Sequence, residues 1–215
     1  MTTDSRHGLP TYPNQAKAYI PTQVNRLWVS DITYIPIHVN ESKHIFCYLS
    51  LILDAYSKEI VGWAVGETLE TGHCIHALRM ALKRVDDTSG KELIHHSDRG
   101  CQYASKEYTS LLREYGITIS MTEDGNPKDN AQAERINNTM KNELLKGKSF
   151  CDIKEVAEAV EKAVLFYNTE RPHMSINMMT PQEAATHTGE IKKGWTSYRE
   201  SQVSDLDFMP LERML

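Results

Sequence analysis

"ELIHHSDRGCQYAS" (residues 92–105) is the stretch on which the reading of this chain turns. Leu93 and Ile94 begin an apolar strand expected over 92–97, which passes through His95, His96 and Ser97 and ends on Asp98. Arg99 and Gly100 then break the pattern, and Gly100 is read as the residue that lets the backbone turn away. An apolar strand that finishes on a carboxylate delivers an acid to a sheet edge. Beyond the turn, Ser105 is placed as the N-cap of a helix through Leu111, Leu112 and Tyr115, closed by Gly116. "ITISM" (117–121) supplies the next strand.

Upstream, three apolar runs rich in β-branched and aromatic residues read as strands: "LWVSDITYIPI" (27–37), "HIFCYLSLILD" (44–54) and "EIVGWAV" (59–65). The turns between them are short, so they form an antiparallel meander. Cys74, Leu78, Ala81, Leu82 and Val85 recur at helical spacing over 71–85. Downstream, the loop "TEDGNPKDN" (122–130), with no apolar anchor, is expected to be the most mobile part of the core. It leads into a helix over about 130–146. Asp152 and Glu155 then form a capping box, opening a helix that buries Ile153, Val156, Val160, Val164 and Tyr167. The fold class is α/β: a mixed sheet of three antiparallel strands followed by two further strands, covered by helices. Residues 1–25 read as a linker, 26–170 as the core and 171–215 as a C-terminal tail, irregular or docking from 186.

Composition narrows the function. Forty per cent hydrophobic and 25% charged residues describe an ordinary globular chain, and no run approaches the roughly 18 apolar residues of a membrane span. No signal-peptide core opens the chain, so the expectation is a cytoplasmic protein with no membrane partner. Cys47, Cys74, Cys101 and Cys151 form no CxxC pair, which leaves isolated thiols in preference to disulfides or a cysteine zinc site. The net charge of −5 is awkward for a nucleic-acid ligand. It is unevenly spread: residues 125–148 hold five basic side chains against three acidic ones.

Three acids invite explanation. Asp31 lies inside a strand, where a charge is costly unless paired or metal-bound. Asp98 ends one. On the helix "DNAQAERINNTMKNELL", Ala133, Ile136, Met140 and Leu144 share the core stripe. Asn130, Glu134, Asn138 and Lys141 align on a neighbouring face, within about 40° of Glu134 on the 3.6-residue wheel. A solvated surface is the plain interpretation of such a face. Against it, asparagines are mediocre helix formers, and three of them (137, 138 and 142) stand where Glu or Lys would serve solvent better.

The motifs "WVSDITYI", "HHSDRGCQYAS", "DGNPKDNAQAERINNTMKNELL" and "YNTERPHMSINMMTPQEA" resemble the catalytic region of insertion-sequence transposases of the group numbered three. That family resembles retroviral integrases and shares their ribonuclease-H-like core. Thirty-five residues lie between Asp98 and Glu134, as the family pattern requires. The resemblance implies that Asp31, Asp98 and Glu134 hold two divalent ions, Mg²⁺ or Mn²⁺. It also implies that Lys141 contacts DNA near the reacting phosphate. Asn130, Asn138, Lys128 and Arg135 are further candidates for DNA contact, and His95 and His96 for buried support of the acids. Tyr167, Asn168, Arg171, Pro172, His173 and Pro181 match a tail motif that is structural or DNA-contacting. The implied partners are element-end and target DNA, an upstream-frame product or missing N-terminal helix-turn-helix region, and further copies of the chain on DNA. Two alternatives stand beside strand transfer: a nuclease of the same fold that only hydrolyses, and a non-catalytic DNA-binding remnant.

The chemistry has its own logic. In-line phosphodiester attack needs charge neutralised on both attacking and leaving oxygens, and hard carboxylate ligands suit Mg²⁺ ions placed to do it.

Overall fold

The aromatic and β-branched run from Leu27 builds β1 (Leu27–Asn40), which pairs antiparallel with β2 (Lys43–Asp54); β2 in turn pairs with β3 (Ile60–Gly66). These assignments come from a computed structural model that describes residues 8–40, 43–85, 89–123 and 127–191. Helix α1 (Thr71–Leu82) carries the chain across to β4 (Ile94–Ser97), which lies parallel to β1. The short α2 (Cys101–Ala104) and α3 (Lys106–Glu114) lead to β5 (Thr118–Met121), parallel to β4. The sheet order is β3-β2-β1-β4-β5, the expected antiparallel meander with two parallel strands added.

Alternation along β1 divides the core. Leu27, Val29, Ile35 and Ile37 face one layer, with α4 (Ala131–Thr139) and α5 (Ile153–Thr169). Trp28 and Ile32 face the other, with α1 and α3. Ser105 caps α3 by accepting from the Tyr108 N–H, and Gly116, at φ +69°, closes it in the left-handed conformation that glycine tolerates. Asp152 caps α5 by accepting from the N–H groups of Lys154 and Glu155. No helix among the described residues is long and apolar enough to cross a membrane.

Three boundaries differ from expectation. Strand β4 starts at Ile94 because Ser89–Glu92 forms a 3₁₀ turn that feeds it. Helix α1 stops before Val85. The helix expected over 130–146 is three pieces: a 3₁₀ turn at Pro127–Asn130, α4, and a π-helical segment at Met140–Leu144 closed by Leu145 N–H to the Met140 carbonyl. The wider turn brings Met140 and Leu145, five positions apart, into the same core, so Leu145 takes the buried place expected of Leu144.

Both flanking segments touch this core. Gln15 N–H donates to the Ser120 hydroxyl and Ala16 is fully buried. Beyond α5, helix α6 (Pro181–Thr186) opens with a full capping box, and its Ala184 packs with Tyr56, Ile176 and Ile191. Residues 192–215, most of the tail expected to be irregular or docking, lie outside the described residues.

Asn168 has a structural place. Its Oδ1 accepts from the Ile60 N–H and its Nδ2 donates to the Ile60 carbonyl, both at 3.0 Å, pinning α5 to the edge strand β3. Asn168→Ala leaves two partly buried backbone groups without partners and should cost about 1–3 kcal/mol. Urea unfolding reads this directly, and an unchanged midpoint would contradict it.

Candidate active site

Register places the first two acids. The parallel pairs Leu27↔Ile94, Trp28↔His95 and Val29↔His96, continued two residues further, set Asp98 opposite Asp31. Adjacent strands run about 4.8 Å apart, so the two carboxylates stand side by side where β1 and β4 diverge. This is where the sheet order switches, with β2 on one side of β1 and β4 on the other, the crevice in which open α/β sheets bind ligands.

The electrostatics record the crowding. Burial, then the charge of Asp98 and more weakly that of Glu134, push the Asp31 carboxyl up to about 7, against hydrogen bonds from the Ile32 N–H and Asn137 that favour ionisation. Asp98 is held by its own turn, its Oδ1 accepting from the Gly100 N–H at 2.9 Å. Gly100 has φ −62°, open to any residue, so the side chain of Asp98 makes the turn and glycine's freedom is not what is used. Arg99 Nε donates to the Thr122 carbonyl at 2.8 Å, tying the segment after β4 to the end of β5.

Glu134, in the first turn of α4, is exposed; burial raises its carboxyl from the ordinary value. Among the described residues no three His, Cys, Asp or Glu side chains stand together as a ready cation cage. Asp31 and Asp98 therefore form the close pair, while Glu134 acts on Asp31 through its charge from the rim. The donor set still fits a hard divalent cation: oxygen ligands only, one of them buried beside like charge so that it holds a proton to near neutrality.

Asn137 was not among the expected site residues. Its Nδ2 donates to Asp31 Oδ2 at 2.9 Å, its side chain is 5% exposed, and its own Oδ1 has no partner among the described residues. The signal lay in its position three after Glu134, between the acid face and the core stripe. Asn130, expected to meet DNA, is instead 4% exposed and donates to the Ser30 carbonyl at 2.9 Å, fastening the start of α4 to β1. Arg135 and Asn138 are exposed, and the side chain of Lys128 lies outside the described ones. Lys141, within the π-helical segment, sets its ammonium 3.8 Å from the centre of the Tyr34 ring.

The two histidines are buried. His95 Nε2 meets the Ser30 hydroxyl at 2.8 Å and the Tyr108 hydroxyl at 3.0 Å, and burial lowers it to about 3, so it is neutral. His96 Nε2 meets the Asp129 carbonyl at 3.1 Å and must donate to it. Its Nδ1 lies 2.8 Å from the Ser120 hydroxyl. Asp129 Oδ2 also accepts from the Glu123 N–H. Asp129 thus ties the described flanks of the 122–130 loop together, while its tip, 124–126 with Gly125 and Asn126, on which the expectation of mobility falls, lies outside the described residues. The tail motif reaches the same helix through Arg171, whose guanidinium pairs with Glu143 at 2.7 Å.

A mixed five-stranded sheet that sets paired aspartates at its switch point and a glutamate on a covering helix defines a ribonuclease-H-like core of the retroviral-integrase type. Two family profiles, each described as an integrase core domain, match residues 21–127 and 115–181. The chain belongs to this integrase-core family. It is 36% identical over 182 residues to the insertion element IS600 uncharacterized 31 kDa protein of Shigella sonnei, covering 84% of this chain and 64% of that one. To a putative transposase for insertion sequence element IS986/IS6110 of Mycobacterium tuberculosis it is 36% identical over 167 residues, 76% of this chain and 58% of the other. The chain thus spans about three fifths of the length of these relatives. Among solved structures, the HTLV-2 integrase catalytic core in complex with magnesium, in its dimeric form, superposes with a TM-score of 0.57 at 20% identity, over 76% of this chain and 97% of that one.

Proposed function

We propose that this chain is the catalytic part of a DNA transposase, which cuts a DNA strand in a divalent-metal-dependent step and joins the freed 3′-OH to a second phosphodiester. The observation that carries this reading is the Asp31–Asp98 pair at the switch point, under like-charge stress from Glu134. Asp31, Asp98 and Glu134 are the ligands for Mg²⁺ or Mn²⁺, two ions per site, with Glu134 swinging in from its exposed position. Bound there, the ions supply Lewis-acid activation of the attacking oxygen and neutralise charge on the leaving one. Asn137 fixes the orientation of Asp31, His95 stiffens β1 through Ser30, and His96 holds the entry to α4. Lys141 contacts a phosphate beside the reacting one, with Arg135, Asn138 and Lys128 along the same DNA path.

The relatives' names and the integrase-type fold support this activity over a hydrolysis-only nuclease and over an inactive remnant, and the remnant alone would have no need of all three acids. Recognition of element ends falls to a helix-turn-helix region upstream or to an upstream-frame product, and several copies assemble on the DNA. The working location is the cytoplasm, on the nucleoid when active.

The test pairs a metal titration with a joining assay. An ion present at ten times its dissociation constant adds about 1.4 kcal/mol to folding stability. Millimolar Mn²⁺ should therefore raise the melting temperature by about 3–6 °C, and Asp31→Asn should abolish the shift. With labelled duplex carrying its own element ends, the protein should give products longer than the substrate. Shortened products alone would favour the nuclease, and an equal metal shift in wild type and Asp31→Asn would remove the metal site.

A further inference from the structure

Beyond Asp31, β1 continues past the end of β4, so its outer half and the facing half of β2 carry a sheet face that no helix among the described residues covers. The register of that hairpin sets Tyr34 opposite Tyr48, Pro36 opposite Phe46 and His38 opposite His44, all on one face. Every residue in that row is a ring. Tyr34 and Phe46 are 43% and 48% exposed, and their rings meet edge to face at 5.2 Å. His38 and His44 stack the same way at 4.4 Å. Large exposed aromatics on a strand face are costly in water unless something covers them in the working state.

Charge and position say what covers them. In a chain of net charge −5, residues 32–50 contain one acid, Glu41 between the two strands, against the basic Lys43, and the ammonium of Lys141 sits over the Tyr34 ring. The surface is therefore apolar and cationic, the combination that takes a nucleobase by its face and the adjoining phosphate by its charge. Tyr34 is three residues from Asp31 on the same strand, about 10 Å at 3.3 Å per residue. Three is an odd separation, so Tyr34 lies on the sheet face opposite Asp31, and a nucleotide next to the one being cut meets it over the edge of β1 beyond its Leu27–Val29 pairing with β4, where Lys141 already reaches the ring. A paired base hides its faces in the stack, so the base that fits is an unpaired one.

We propose that Tyr34 and Phe46 form a stacking platform for an unpaired nucleobase of the reacting strand, with Lys141 holding its phosphate. The proposal rests on the DNA-processing reading above. It adds a substrate feature to it: the strand end must fray, or arrive single-stranded, to seat in the site.

The experiment measures binding of the 215-residue chain, in EDTA, to two duplexes, one blunt and one with a three-nucleotide single-stranded end carrying 2-aminopurine. Wild type should favour the single-stranded end and quench its fluorescence by stacking. Tyr34→Leu and Phe46→Leu, both at exposed positions, should each weaken binding to that substrate about tenfold, from the usual strength of one base–aromatic stack. Both should also lose the quench. Binding to the blunt duplex should change by less than twofold, and Tyr34→Phe, which keeps the ring, should rescue the loss. Equal weakening on both duplexes, or an undiminished quench, overturns the platform. So does a wild-type dimer that the Leu variants dissociate without altered DNA affinity, because the face then covers a second copy. A wild type that binds neither duplex, or binds both equally, sinks the platform, whereas the DNA reading falls only if the joining assay on the element ends also fails.

Discussion

Asp98→Asn should lower strand cleavage and joining by about three orders of magnitude while leaving the fold in place. On the proposed role of Asp98 as a metal ligand, the activity loss follows from removing one of two adjacent carboxylates where charge must be balanced during phosphoryl transfer, a change of the size seen when a preorganised electrostatic contact is deleted. The fold survives because an asparagine oxygen still accepts from the Gly100 N–H and keeps the turn after β4. Stability should stay level or rise without metal, since the second-largest contribution to the raised Asp31 carboxyl is the charge on Asp98. The readouts are joined-product yield in Mg²⁺ and a thermal melt in EDTA. Retained joining in Mg²⁺ would remove Asp98 from the machinery; a large drop in melting temperature would make it a structural residue.

Legibility from sequence followed the range of the interactions involved. The five strands, the caps at Ser105 and Asp152 and the burial of Val156, Val160, Val164 and Tyr167 were readable because periodicity and capping are local. The α4 region was readable only in part. A wheel drawn at one fixed angle cannot anticipate the π-helical segment, which exists because Met140 and Leu145 both have to reach a core formed by distant strands. The acids stood out as charges in apolar contexts, but their partners did not. Asn137 meets Asp31 across 106 positions and Asn130 meets Ser30 across 100, contacts that the β1–α4 packing creates. Asn130 shows the hazard of assigning DNA contacts from a helix face alone, since a polar residue there can be taken up by a backbone carbonyl. The ring row on the β1–β2 hairpin was visible residue by residue, yet it became a surface only once the register set Tyr34, Pro36 and His38 against Tyr48, Phe46 and His44.

Asp31→Asn should reverse a pH dependence that runs opposite to that of most aspartates. In the unfolded chain Asp31 titrates near 3.8, and in the fold near 7. Between those values the native state keeps a proton that the unfolded state has lost, so stability falls as pH rises, by about 1.4 kcal/mol per unit. Below about 4 there is no penalty, and above about 7 it is complete. The full shift corresponds to about 4 kcal/mol; residual solvent contact screens it, leaving on the order of 2–4 kcal/mol. His95 and His173, lowered to about 3 and about 4, pull the other way, because the unfolded chain protonates them first as pH falls below 6.5. The total stability curve therefore mixes opposing slopes, and only the difference between wild type and variant isolates Asp31. In EDTA, Asp31→Asn should match wild type near pH 3.5, about the unfolded value of 3.8, and exceed it at pH 8 by that amount, measured by urea unfolding at both values. A gap that stays constant with pH would mean Asp31 is not held near neutrality. With Mn²⁺ added the gap at pH 8 should narrow by about 1.4 kcal/mol, because only the wild-type protein gains a bound cation.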